Sequence, residues 1–123
     1  MQGGTEPGGQ PLAIRSKIWI ERGDDVVLSE WRVELLEAID ASGSLSRAAE
    51  SLDVPYRTAW DRIKATEAEL GFRLLETESG GADGGGSRLT PEARDVCRRF
   101  RRVSSGIQEV VSRRFAVEFG VER

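Results

Sequence analysis

The chain has 123 residues, 38% of them hydrophobic and 32% charged, with a formal net charge of −3. This length suits a single domain, and no apolar run approaches the roughly 18 residues that a bilayer crossing requires, so no membrane association is expected. Histidine is absent and Cys97 is the one cysteine, which disfavours metal, haem and Ser-His-Asp chemistry. We therefore expect no enzyme, no cofactor and no metal site.

The charge is distributed unevenly. Residues 1–54 contain ten acidic and five basic residues, whereas residues 88–102 contain six arginines and two acidic residues. A basic region therefore exists within an acidic chain, and nucleic acid stays among the expected partners.

The first 13 residues are predicted to be a flexible extension. They are polar and rich in glycine, without the positive start and apolar core of a signal peptide. We expect a cytoplasmic protein.

The run IRSKIWIE from Ile14 to Glu21 alternates in character, with Ile14, Ser16, Ile18 and Ile20 on one face, and this predicts a strand. Residues 22–25 are interpreted as a turn. Ser29 can then cap a first helix that ends near Gly43; its predicted apolar stripe consists of Trp31, Leu35, Leu36 and Ile39.

The next two helices form a recognisable pair. Ser44 can cap a short helix, LSRAAESL, whose alanines permit close crossing by another helix. Pro55 suits the first turn of a longer helix that runs to about Leu70 and stops at Gly71. A short helix, a turn and a longer helix after a packing helix predict a helix-turn-helix, in which the second helix enters the major groove of DNA.

The segment SGGADGGGSRLT, from Ser79 to Thr90, is predicted to be the tip of a hairpin. It lacks the lysine followed by serine or threonine of a phosphate-binding loop, and the residues after it are predicted to be one helix and a tail rather than a domain that it could link. Strands at residues 72–76 and 88–89 would complete the hairpin, although a loop that contacts nothing is an alternative. The predicted fold is mainly α, a winged helix-turn-helix with a short β-hairpin wing.

A long helix follows from Thr90-Pro91-Glu92, a strong start signal, and continues beyond Arg113. Its apolar residues recur at spacings of four and three, which is typical of a helix-helix seam; they are Val96, Phe100, Val103, Ile107 and Val110. The seam could pair with a second copy of the chain or pack within its own domain.

Candidate DNA contacts lie on the third helix and on the wing. Arg57, Asp61 and Lys64 face outward on a helical wheel, near Tyr56 and flanked by Thr58 and Trp60. Asp61 could instead pair within the helix, and Trp60 could instead be a packing residue. Phosphate contacts are predicted for Arg88 and for the wing amides, those of Gly84, Gly85, Gly86 and Ser87. Ser44 is a further candidate DNA contact.

Three features resemble the N-terminal DNA-binding domain of the ModE-type molybdate-responsive transcription regulators over about residues 14–113. They are SGSLSRAAESLDVPYRTAW from Ser42 to Trp60, ESGGADGGGSRLT from Glu78 to Thr90, and the long helix that follows. LysR-type regulators share the helix-turn-helix and the Leu-Thr element. The resemblance implies a sequence-specific transcription regulator that binds double-stranded DNA as a homodimer. It assigns the dimer contact to the N-terminal strand and last helix, here Ile18, Ile20, Val96, Phe100, Val103, Ile107 and Val110.

Two departures from that family pattern matter. The family carries C-terminal β-barrel modules that bind molybdate or tungstate, whereas residues 114–123 are predicted to be only a tail, so we expect no oxyanion binding by this chain. Pro55 stands where the family more often has serine, which removes a hydroxyl that could contact phosphate. An alternative function is a winged-helix interaction module whose basic helix, from Arg94 to Arg102, binds an acidic protein partner.

Overall fold

The computed structural model describes residues 8–77 and 86–120. Within these ranges the chain forms four helices and two antiparallel hairpins, and the prediction of a mainly α winged helix-turn-helix is confirmed. The elements are β1 (Trp19–Arg22), β2 (Asp25–Ser29), α1 (Glu30–Ser42), α2 (Leu45–Ser51), α3 (Tyr56–Leu70), β3 (Leu75–Thr77), β4 (Ser87–Leu89) and α4 (Pro91–Phe119).

The helix boundaries follow the predicted capping residues. The Ser29 hydroxyl accepts the backbone N–H of Arg32, and the Ser44 hydroxyl accepts that of Arg47, which satisfies amide groups that the first turn leaves without partners. α1 ends at Gly43, whose φ of 77° lies in the left-handed region that glycine adopts without a Cβ clash. Pro55 is the N-cap of α3 and the helix begins at Tyr56, so Pro55 lies one position before the predicted first turn.

The helix-turn-helix pair is held by small buried side chains. Ala48 and Ala49 of α2 are buried, as are Ala59 and Ile63 on the inner face of α3. Because these alanines place only methyl groups at the crossing, the two helices pack closely in the core. The same core extends to Phe100 in α4 and includes leucines of β2, α1, β3 and β4.

The N-terminal hairpin differs from the sequence prediction. The strand begins at Trp19, not at Ile14, and the residues from 25 onward form β2. The register shifts between Ile20 and Glu21 of β1, where Val27 of β2 is the extra residue of a bulge. β2 was not predicted, because the turn was extended over residues 22–25 and the short apolar run that follows has no alternation. Its Val27 and Leu28 are buried, so the inner side of this hairpin belongs to the core.

The second hairpin, β3 with β4, is the predicted wing. Its register pairs Leu75 with Leu89, Glu76 with Arg88 and Thr77 with Ser87. β3 starts at Leu75, not at residue 72. The predicted tip residues Gly84 and Gly85 lie outside the described residues.

Two compact units are distinguished along the chain, one of residues 18–100 and one that combines the N-terminal segment up to Lys17 with α4 from Arg101. In the second unit, Gln108 hydrogen-bonds the N-terminal segment: its Nε2 donates to the Ile14 carbonyl and its Oε1 accepts the Ser16 N–H, both at 2.8 Å. The sequence predicts a strand over residues 14–18, but in the structure the backbone groups of Ile14 and Ser16 bond to the Gln108 side chain instead. α4 continues to Phe119, beyond Arg113 where the domain was predicted to end.

Candidate nucleic-acid interface

The outer face of α3 carries an exposed ion pair. Arg57 and Asp61 have side chains that are 81% and 55% exposed, with 3.5 Å between the Arg57 Nε and an Asp61 carboxylate oxygen. Tyr56, at the start of the helix, is also exposed, while Thr58 is half-buried. The intrahelical partner considered for Asp61 is therefore present, and Arg57 extends from the surface opposite the buried Ala59.

Trp60 and Lys64 form the flank of this face. Trp60 is partly buried against the core, which supports its interpretation as a packing residue, and the Lys64 ammonium lies 4.7 Å from the centre of its ring. The same ammonium lies 3.2 Å from a Glu67 carboxylate oxygen. Glu67 in turn accepts the backbone N–H of Leu74, so the Lys64 head group is held close to the helix by two neighbours.

The wing residues contact the chain itself in part. The Ser87 N–H donates to the Gly43 carbonyl at 2.9 Å, which corrects the prediction that this amide is available to a phosphate. A Cβ added at Gly86 would lie 3.0 Å from that same carbonyl oxygen, so the glycine permits close packing within the chain. Arg88 lies opposite Glu76, with 3.7 Å between Nε and a carboxylate oxygen, and its side chain is 58% exposed.

Ser44 makes hydrogen bonds to two residues close to it in the chain. Its hydroxyl caps α2 and its backbone N–H bonds to the Ser42 hydroxyl. The cap already engages the hydroxyl oxygen, and a DNA contact by Ser44 stays a prediction.

Two arginines that the sequence analysis missed hold α3 in place. Arg22 donates to the Glu69 backbone carbonyl at 2.6 Å, near the C-terminal end of the helix. Arg32 donates to the Thr66 hydroxyl at 3.1 Å and to the Val26 carbonyl at 2.9 Å. Burial lowers the pKa of Arg32, and the charge of Arg62 acts in the same direction. No local spacing could have indicated these contacts, since the partners on α3 are 47 and 34 residues away.

The arginine-rich start of α4 is largely paired with acidic groups of its own chain. Arg94 binds Asp40 through two hydrogen bonds of 3.1 Å, and Asp95 pairs with both Arg98 and Arg99. The hydrogen bond from Arg94 is the main cause that lowers the pKa of Asp40. The structure therefore offers no particular support for a surface here that binds an acidic protein.

The residues predicted for a dimer contact divide into two groups. Ile20, Val103, Ile107 and Val110 are exposed by 48%, 56%, 40% and 54%. Phe100 is only 2% exposed and belongs to the core with Cys97; assigning it to an interface was wrong, because α4 turns this residue inward together with Ala93. Ile18 and Val96 are partly buried against the same core.

Other kinds of site are not apparent in the described ranges. Residues 8–77 and 86–120 contain no group of three or more cysteine, aspartate and glutamate side chains placed to hold a metal ion. None of the helices in these ranges combines the length and the apolar character required to cross a bilayer.

Residues 32–94 match the bacterial regulatory helix-turn-helix proteins of the lysR family, and the chain belongs to this family. Over 86 residues it is 35% identical to the molybdenum transport protein ModE of Azotobacter vinelandii, a match that covers 70% of this chain and 32% of that protein. It is 42% identical over 62 residues to the transcriptional regulator ModE of Haemophilus influenzae, covering 50% of this chain and 24% of that protein. The resemblance to ModE-type and LysR-type regulators is thus confirmed, and the chain spans about a third or less of the length of these relatives.

Solved structures agree on the fold. The CbnR_DBD–DNA complex matches with a TM-score of 0.56 at 24% identity, covering 72% of this chain and 95% of that one. The BenM_DBD/catB site 1 DNA complex matches with a TM-score of 0.52 at 25% identity, covering 70% and 92%. Both similarities extend over most of the described chain.

Proposed function

We propose that the chain is a sequence-specific, DNA-binding transcription regulator that acts in the cytoplasm as a homodimer. The observation that carries this proposal is the outer face of α3, where Arg57, Asp61 and Lys64 are exposed while Ala59 and Ile63 hold the helix to the core. A helix presented in this way after a short first helix suits the major groove. The family membership and the two similar DNA complexes support it.

The residues have separate roles in this proposal. Arg57 has the reach and the planar donors to bond a guanine edge, with Tyr56 and Thr58 beside it. Lys64 and Arg88 supply positive charge to phosphates, which fixes the orientation of the protein on the duplex. Gly86 lies against the Gly43 carbonyl, which precedes Ser44 in the chain, and we place the passing DNA backbone at this junction of the helix pair and the wing.

The test of DNA binding is fluorescence anisotropy with fragments from upstream of the chain's own gene and with scrambled DNA. Measurements at about 50 mM and 200 mM salt should show affinity that falls steeply with salt on both DNAs, because phosphate contacts release counterions. Tighter binding to some natural fragments than to scrambled DNA is expected. Absence of binding to any DNA at low salt, including fragments selected from the genome, would contradict the proposal.

The homodimer is proposed to form through the exposed apolar side chains of α4. Val103, Ile107 and Val110 recur at the spacing of a helix-helix seam and are 40% to 56% exposed, and burial against a second copy removes them from water. A symmetric dimer would bind half-sites about 10 base pairs, or a multiple of that, apart.

Light scattering tests the dimer. Val103→Glu is expected to convert a dimeric mass into a monomeric one. Ser105→Glu introduces the same charge at an exposed position about 200° around the helix, and it should leave the mass unchanged. Equal masses for the wild type and Val103→Glu would reject this surface as the dimer contact.

That this chain binds neither molybdate nor tungstate stays a prediction. Calorimetric titration of the chain with molybdate tests it, and the expected result is no heat of binding. A saturable, tight complex would contradict the prediction.

A further inference from the structure

A cluster of contacts at the base of the wing joins three elements of the unit formed by residues 18–100. The Leu89 N–H donates to the Asp40 carboxylate at 3.2 Å, and the Ser87 N–H donates to the Gly43 carbonyl at 2.9 Å. Arg94 of α4 donates hydrogen bonds to both oxygens of the same carboxylate. The C-terminal end of α1 therefore contacts both β4 and α4.

The two hydrogen bonds cover one edge of β4. Backbone N–H groups two residues apart in a strand point toward the same edge, here those of Ser87 and Leu89. The opposite edge faces β3, and beyond the strand the Thr90 N–H donates to the Leu74 carbonyl at 3.0 Å. β4 is consequently bonded on both edges, one of them by α1.

The approach of β4 to α1 is also limited sterically. A Cβ at Gly86 would lie 3.0 Å from the Gly43 oxygen, a separation that real Cβ atoms rarely show without movement of a neighbour. Ser44, the next residue along, caps α2. The distance between the wing and the start of the helix pair is therefore set by backbone contact.

Asp40 lies in a place that helix electrostatics disfavours. It belongs to the last turn of α1, where the helix dipole is negative and where the turn contains no basic residue. The guanidinium of Arg94 compensates from another element, through a pair of hydrogen bonds to both carboxylate oxygens. An acidic residue here is explained by what it binds outside its own helix.

We propose that Asp40 is a positioning residue for the wing: with the Gly43 carbonyl it fixes β4, and so sets where Arg88 meets a DNA phosphate. Arg88 stands between Ser87 and Leu89, the two residues whose backbone α1 binds. This inference rests on the proposed DNA-binding function. Asp40 itself contacts no DNA in this scheme and acts through Arg88.

The experiment is a double-mutant cycle on DNA affinity with Asp40→Ala and Arg88→Ala. In the wild type, Arg88→Ala should weaken binding by roughly ten-fold, because one phosphate contact is lost. It should also reduce the slope of log affinity against log salt concentration by about one. In the Asp40→Ala background the same change should weaken binding less than about three-fold, since Arg88 is no longer held in place. Glu34→Ala, at an exposed position of the same helix, should leave the full effect of Arg88→Ala.

A purely structural role for Asp40 predicts a different result. If Asp40 only stabilised the fold, a variant that is still folded at the assay temperature would show the full effect of Arg88→Ala, and this additivity would overturn the proposal. Asp40→Asn keeps an oxygen acceptor for the Leu89 N–H, so Arg88→Ala in that background should weaken binding nearly as much as it does in the wild type. If Asp40→Ala does not fold, Asp40→Leu, which has a similar shape but no acceptor, replaces it in the cycle, and additivity of Asp40→Leu with Arg88→Ala would then overturn the proposal.

Amide hydrogen exchange separates this inference from the proposed function. The Leu89 amide should exchange at least about ten-fold faster in Asp40→Ala than in the wild type, while amides in α3 are unchanged. Unchanged Leu89 exchange would overturn the positioning role even if DNA binds. Faster exchange in a protein that binds no DNA would reject the DNA-binding function, and with it the assigned purpose of the contact.

Discussion

Arg57→Ala should weaken DNA binding much more than it lowers the stability of the fold. The Arg57–Asp61 pair is exposed, with side chains 81% and 55% accessible and 3.5 Å between the charged atoms. Exposed pairs at this helical spacing contribute about 0.3–0.5 kcal/mol, so the melting temperature should fall by no more than roughly 4 °C. Loss of a base contact, in comparison, costs roughly 1–3 kcal/mol of binding free energy, or about 5- to 150-fold in affinity.

Anisotropy titrations against one specific DNA fragment and its single-base variants measure the affinity, and thermal unfolding measures stability. Arg62→Ala is the matched control, since it removes the same charge from the same helix about 140° away from Arg57. It should weaken binding much less than Arg57→Ala and should leave base preference unchanged. Arg57→Ala should also relax preference at one base pair of each half-site.

Asp61→Asn extends the test to the partner of Arg57. If Asp61 only pairs with Arg57, its neutral replacement frees the guanidinium and removes a negative charge near phosphates, and affinity should rise by about two- to five-fold. If Asp61 accepts from a cytosine, affinity should instead fall on the fragment that carries that base. Arg57→Ala binding within two-fold of the wild type on every fragment, or Arg62→Ala proving equally harmful, would refute the assignment of the outer face of α3 to DNA.

Three further predictions concern the scaffold. Gly43→Ala should destabilise the protein by about 1–2 kcal/mol, because φ is 77° there and the space beside it is open; a melting temperature equal to that of the wild type would contradict the left-handed geometry. Ala59→Leu should cost about 1–3 kcal/mol of unfolding free energy by overpacking a fully buried site, whereas Ala65→Leu on the exposed side of the same helix should cost little in a denaturant titration. The hydrogen bond from Arg94 lowers the pKa of Asp40 in the folded protein from an ordinary value of 3.8. The ionised Asp40 therefore stabilises the fold above pH 3.8, and this stabilisation is lost as the pH falls through the lower folded pKa. The stability advantage over Asp40→Asn should thus be constant down to about pH 5 and shrink below about pH 4; a constant advantage down to about pH 2 would argue against the Arg94 contact.

Local interactions explain why the helix boundaries could be predicted. The hydroxyl groups of Ser29 and Ser44 bond to amides three residues further on, and Gly43 returns a hydrogen bond to Ile39. Such partners lie within one helical turn, so the sequence pattern contains the whole interaction. The outer face of α3 follows from the same periodicity once Ala59 and Ile63 are placed inward.

The incorrect predictions concern residues whose partners are distant in the chain. The segment from Ile14 alternates like a strand, yet its backbone groups bond to Gln108, which is 94 residues from Ile14. Phe100 fits the apolar seam of α4 by spacing, but spacing along one helix does not show which part of that helix packs on its own core. Asp40 was not recognised because Leu89 and Arg94 come to it from 49 and 54 residues away.

The division of α3 into two faces has a consequence for how such a regulator can diverge. The residues that hold the helix, Ala59, Ile63 and Thr66, are buried and leave little room for other side chains. The residues turned away from the core are Arg57, Asp61 and Lys64. The contacts described above for these three side chains are all with neighbours on the same helix. Substitutions on the outer face can therefore accumulate at small cost in folding free energy. Copies of this chain could acquire new target sequences while the inner face stays under strict selection for shape.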